Sequence, residues 1–249
     1  MAGRARVATT MAFRDQARRP LVLILLVLVP AYVITRGIAE TLATPRRIGL
    51  PDDVWVTTTM KELHGAGMGG FAIAFTVALV GVFVMQSALA GDRRLVVAGF
   101  RPGETVAARL LVLVAATALV VAVSAVVTAL SFTPASWPPL IAALALTGLI
   151  YGGIGALAGA VLDRLAAAYL MLFSVITDIG VVQSPMFGDG TPGRWAVLLP
   201  GYGPSRVMYD GAFSTTFHAG GELALSLAWL AALGVAVILV LRRAVAARG

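Results

Sequence analysis

Apolar residues in this chain come in long blocks rather than in alternation. From Leu110 to Leu162 no residue carries a charge, and the block is interrupted only by Ser131-Phe132-Thr133-Pro134-Ala135-Ser136-Trp137-Pro138-Pro139. The hydrocarbon core of a bilayer needs roughly 20 apolar residues per helix, so this block supplies two spans with a turn between them. The same reading along the whole chain predicts six spans, at residues 20–38, 69–90, 107–130, 140–162, 165–182 and 223–241. Backbone in lipid must satisfy its own hydrogen bonds, and unbroken apolar runs lack the period-2 pattern of barrel strands. The expected fold class is therefore an all-α membrane protein with six transmembrane helices in one domain over residues 1–249. The first span is free of charge only from Pro20 to Thr35, and Arg36 must snorkel to an interface. A cleaved signal peptide is the alternative there; the five preceding arginines and the lack of a clean small-residue cleavage site weigh against it.

Composition agrees, with 59% hydrophobic and 12% charged residues where a soluble domain carries about a quarter charged. There are no cysteines, which excludes disulfides and thiolate metal sites. The net charge of +7 acquires meaning from its location. Six spans divide the loops into two sets, and the nineteen basic residues split thirteen to six between them. The larger set, which includes Arg4 to Arg19, Arg93, Arg94, Arg101, Arg109, Arg164, Arg242 and Arg243, marks the cytoplasmic side. Both termini are expected in the cytoplasm of a multi-pass plasma-membrane protein. The basic excess is then an orientation signal; a nucleic-acid surface would need a folded basic face or interleaved aromatics, and neither is visible.

Several segments carry candidate chemistry. Residues 4–19 mix Val7, Met11 and Phe13 with arginines, which suits either an amphipathic segment on the inner membrane surface or a plain positive-inside flank. The inner loop 91–106 holds Leu95 to Phe100, too apolar for a solvated connector and too short to span, so a short docking helix ended by Gly99 and Pro102 is expected, with an inert connection as the alternative. Gly148, Gly152, Gly155 and Gly159 form one stripe on the fourth span, for helix packing within the subunit or at a subunit interface. Asp178 is the one carboxylate deep in a predicted span, a substrate-pathway candidate or a hydrogen-bonded structural group; Gln86 and Ser87 are weaker candidates of the same kind. In the outer segment 183–222, the apolar run Trp195 to Pro200 suggests a short re-entrant or interfacial helix before the last span, or else a simple loop. His64 and His218 have no neighbouring ligand cluster, and no metalloprotease or nucleophile-elbow motif occurs, so neither a metal site nor catalysis is expected. The one lysine is Lys61 and no phosphate-binding Gly-rich loop exists, so this chain is not expected to hydrolyse nucleotide.

In order and spacing, these motifs resemble the permease subunits of the ABC-2 family. The likeness rests on Arg14-Asp15-Gln16-Ala17-Arg18-Arg19-Pro20 with Pro30 in the span, and on Asp92-Arg93-Arg94 followed by Ala98-Gly99-Phe100-Arg101-Pro102 and Ala107-Ala108-Arg109-Leu110-Leu111. It continues in Leu199-Pro200-Gly201-Tyr202-Gly203-Pro204-Ser205-Arg206 before a last span ending in Arg242-Arg243. The resemblance implies an exporter of hydrophobic or amphipathic small molecules. Two permeases, identical or homologous, would pair with two cytoplasmic ATPase subunits, and ATP and Mg would sit on those partners. It makes the loop 91–105 the coupling element, with Asp92, Arg93, Arg94, Leu95, Val96, Val97, Phe100 and Arg101 facing the ATPase. It also implies that the second and fifth spans line the substrate pathway, through Phe75, Phe83, Gln86, Phe173 and Asp178. A proton-coupled secondary transporter relaying through Asp178, and a non-transporting scaffold or intramembrane enzyme, are the alternatives. The absence of an obvious internal repeat counts against the first.

Overall fold

The computed structural model describes residues 20–97 and 102–246, with side chains at residue 24 and over 26–87 and 107–243. In chain order these form α1 (Pro20–Ala39), a hairpin of β1 (Pro45–Gly49) and β2 (Trp55–Thr59), α2 (Met60–Val97), α3 (Pro102–Ser131), α4 (Trp137–Val161), α5 (Arg164–Val175), α6 (Tyr202–Phe213) and α7 (Gly220–Ala246). A π-helix, Ile176–Val182, continues α5, and a 3-10 turn covers Arg194–Leu198. The protein is mostly helical, and α2, α3, α4, α5 with its π extension, and α7 are each long and apolar enough to cross a membrane. The amphipathic segment 1–19 and residues 98–101 of the inner loop, among them Phe100 and Arg101, lie outside the described residues, as do the side chains of Asp92 to Val97.

Local chemistry sets the helix starts. Thr59 and Glu62 form a reciprocal capping box on α2: the Glu62 amide donates to Thr59 Oγ1 at 3.2 Å, and the Thr59 amide donates to Glu62 Oε2 at 3.0 Å. Asp163 accepts from the Leu165 and Ala166 amides, so that α5 can begin with only two residues between it and the end of α4. In the inner loop the backbone departs from expectation. There is no separate short helix over Leu95–Val97; α2 runs through these residues unbroken, and Pro102 opens α3 instead of ending its predecessor. A proline in the first turn lacks only an amide that would have no helical partner anyway.

The centre of the molecule is the contact between α2 and α4, made by glycine. A Cβ on Gly155 would land on the Ala78 carbonyl oxygen, one on Gly81 would land on that of Gly152, and one on Gly159 would lie 2.7 Å from Val82 O. Gly148 and Gly152 instead receive the side chains of Thr117, Ile73, Leu113 and Val77. The whole predicted stripe is thus occupied by α2 and α3 of the same chain, at backbone distances that only a missing side chain permits. Leu144, Ile150 and Tyr151 of α4 and Leu63, Ile73 and Val77 of α2 are buried in this core. By contrast α5 and α7 turn most of their apolar surface outward, Leu165, Tyr169 and Phe173 among it.

Candidate functional site

Polar chemistry concentrates at the end of the bundle where α2, α4 and α7 begin. The hairpin lies here, turned by Asp52 and Asp53 in the left-handed region at φ 54° and 56°, which Asp tolerates better than most residues. Ile48 and Leu50 pin it to the core, and Arg47 lies 4.8 Å over the Trp55 ring. The loop after the π-helix adds to the free edge of β1, where the Gly49 amide donates to Gly190 O at 3.1 Å and Arg46 Nη2 to Gly188 O at 2.5 Å.

Beneath this cover sits α6, wedged between helix starts. Gly67 and Gly70 of α2 leave room for Tyr209 and Met208, Gly211 lets α6 reach Pro139 and the Leu140 amide of α4, and Gly203 lies against Glu222 and Ser226 of α7. Every residue from Gly203 to Ala212 is buried, including Arg206 and Asp210. Burial pushes the Tyr209 phenol well above its ordinary range and so keeps it neutral. Over the Trp195–Pro200 run the structure has a short 3-10 helix, Arg194–Leu198, with Trp195 68% and Leu198 65% exposed; a second, buried helix begins at Tyr202. Its burial comes from close backbone approach at glycines, which apolarity does not mark.

Asp178 joins these pieces. The π-helix places it against α4 and α6, where its carboxylate accepts from Tyr151 Oη at 2.5 Å, Gln183 Nε2 at 2.8 Å and the Gly201 amide at 3.0 Å. Gln183 Nε2 also reaches Ala196 O at 3.3 Å. One carboxylate therefore fastens α4, the end of the π-helix and the start of α6, and Gln183 carries the link on to the 3-10 turn. Arg206 donates through Nη1 to Gly49 O at 2.5 Å, tying α6 to the hairpin. Asp210 Oδ2 accepts from the His218 and Ala219 amides at 2.8 and 3.3 Å, just before α7 begins. Tyr151, Gln183, Arg206 and Asp210 were not candidates from sequence; the π-bulge and tertiary contacts that recruit them have no sequence period.

The opposite end is simpler. Arg164 lies 4.5 Å over the Phe83 ring, Gln86 Nε2 donates to Leu162 O at 3.4 Å, and Arg109 Nη1 donates to Ser87 Oγ at 3.3 Å. Phe83 and Gln86 thus bind α2 to the α4–α5 turn. Phe75 packs into the cluster formed with Met171 and Val175, whereas Phe173 is 63% exposed on the outer face of α5. The five pathway candidates occupy four environments: Phe75 the α2–α5 core, Phe173 the outer face of α5, Phe83 and Gln86 the end at the α4–α5 turn, and Asp178 the hairpin end. No described cavity gathers them. Among the described residues no set of three His, Cys, Asp or Glu side chains is placed to hold a metal. No protein-family model, curated protein or solved structure matches this chain.

Proposed function

We propose that the chain is the permease subunit of an ABC-type exporter of hydrophobic or amphipathic small molecules. It would be a six-span bundle in the plasma membrane with both termini cytoplasmic, paired with a second permease and driven by separate ATPase subunits that hold ATP and Mg. The observation that carries this reading is the reach of α2. Gln86 meets Leu162, which sets the level of the α4–α5 turn, and α2 then continues for the eleven residues from Ser87 to Val97. At 1.5 Å per residue this is about 16 Å of helix beyond the turn. The bond from Arg109 to Ser87 sets the first turns of α3 alongside. The tip of this helix pair carries Leu95, Val96 and Val97 between Arg93, Arg94 and Arg101. Apolar area for burial and cationic groups for orientation are what a docking surface for a motor subunit requires.

The test is co-purification from native membranes, followed by measurement of ATPase activity and export with the tip altered. Arg93→Glu with Arg94→Glu, or Val97→Asp, is expected to preserve membrane insertion and abolish stimulation of the partner's ATPase, with export reduced at least tenfold. Normal export by these variants, or a native complex without an ATPase, would overturn the reading. The buried Asp178–Tyr151 pair favours one rival, a proton-coupled transporter with Asp178 as the relay. That rival predicts activity that survives ATP depletion and collapses with the proton gradient.

A further inference from the structure

We propose that the 3-10 segment Arg194–Leu198 holds a phospholipid of the leaflet at the hairpin end, with the lipid phosphate at Arg194 and its upper acyl carbons against Trp195 and Leu198. The segment's own geometry makes this face. Three residues per turn eclipse residue i with i+3, so Trp195 and Leu198 stand on one side while Ala196 turns inward and is buried. Gln183 Nε2 fixes the inner side through its bond to Ala196 O. Two large apolar side chains are thereby held mostly exposed, with Val197 exposed next to them. Arg194 lies 5.4 Å over the Trp195 ring, which puts the cation at the edge of the apolar face.

The position of the segment says what covers it. Gln183 closes the π-helix that ends α5, and its bonds to Asp178 and Ala196 put the 3-10 segment at the level where that apolar helix stops. The outward side of α5 and its extension is an exposed apolar strip, made by Leu165, Tyr169, Phe173, Ile176 and Val181. On a spanning helix such a strip faces hydrocarbon, and the layer just beyond its end is the headgroup region. Tryptophan and arginine gather there because each joins an apolar body to a polar tip. A phosphodiester also matches Arg194 in charge and in the fork of its donors. Among the described residues no carboxylate lies within 4.0 Å of Arg194 to compete for it. The inference needs α5 to cross a bilayer, and it draws on no residue of the α2–α3 tip and on no ATPase.

The experiment uses the full chain alone in phosphatidylglycerol nanodiscs, with a nitroxide spin label on a single introduced cysteine, the natural chain having none. Collisions of the label with oxygen, which concentrates in lipid, are compared with collisions with a water-soluble nickel chelate. Leu198→Cys is expected to favour oxygen over the chelate, by less than Phe173→Cys at the middle of the strip. Arg194→Glu, which repels phosphate, should lower the oxygen-to-chelate ratio at Leu198→Cys at least twofold. Leu198, Phe173 and Arg194 are all exposed, so these changes remove no buried packing. A label at Leu198→Cys that favours the chelate overturns the proposal in favour of a loop in water. One shielded from both reagents overturns it in favour of a second protein surface. A ratio unmoved by Arg194→Glu removes the phosphate contact and with it the site. None of these outcomes bears on the ATPase-driven reading, which is tested at the other end of the bundle.

Discussion

At the scale of single residues, this protein uses glycine for two unlike purposes, and substitution separates them. Gly155 faces the Ala78 carbonyl with no room for a methyl group, whereas Gly234 on α7 has nothing within 4 Å of where a Cβ would stand. Gly155→Ala must push α4 away from α2 along the most buried contact in the molecule, and overpacking of this kind costs about 1–3 kcal/mol. Gly234→Ala removes a flexible residue from a helix interior and should stabilise by about 0.5–1 kcal/mol. Thermal unfolding of the isolated chain in detergent, followed by size-exclusion chromatography, is expected to show a lower midpoint for the first variant and an equal or higher one for the second. Equal behaviour of the two would mean that the α2–α4 approach tolerates separation. The polar residues obey a related rule. Asp178, in helical backbone surrounded by apolar side chains, is tolerated because Tyr151, Gln183 and the Gly201 amide converge on it.

At the scale of elements, the least independent pieces are the hairpin and α6. A two-stranded ribbon of five-residue strands is marginal alone, so the hairpin depends on what holds its inner side, and Arg206 is the one charged tether to it from α6. Arg206→Met keeps the length and volume but removes the donor, leaving Gly49 O without that bond. The expected outcome is faster protease cleavage in the Pro51–Val54 turn with unchanged helical content by circular dichroism; an unchanged cleavage rate would show that Ile48 and Leu50 hold the hairpin unaided. The same elements mark the limit of what could be read along the chain. The long helices were legible because about 20 apolar residues have few other uses, and the glycine stripe because its spacing follows the helical turn. The Thr59–Glu62 cap and the β-branched run Val56 to Thr59 are local signals too, yet they fall between the first two apolar blocks, where hydropathy marks no element. For α6 there was no such signal. Gly203, Ser205, Arg206 and Asp210 read as an exposed connector, and only the backbones of α4 and α7, arriving from distant parts of the chain, bury them.

At the scale of the whole molecule, the two ends differ in kind, and that difference yields a test of topology. Helix α2 has 38 residues, about 57 Å at 1.5 Å per residue, against a hydrocarbon core of about 30 Å. The surplus is unequal: seven residues precede Gly67, where Tyr209 of α6 packs, whereas eleven follow the level of the α4–α5 turn. One end is thus covered by folded chain packed close to the helix starts, and at the other the α2–α3 pair runs on past the α4–α5 turn in a segment rich in arginine. If the positive-inside rule governs this protein, the arginine-rich pair faces the cytoplasm and the hairpin faces out. The chain contains no cysteine, so single cysteines can be introduced into an otherwise unreactive background. Thr57→Cys, on the exposed face of β2, should react in intact cells with a membrane-impermeant maleimide, whereas Arg94→Cys should react only after the membrane is opened. Reaction of both from the same side would break the six-span arrangement. Reaction of Arg94→Cys alone from outside would invert it, placing the helix pair where no cytoplasmic motor could reach and removing the ground for an ATPase-driven exporter.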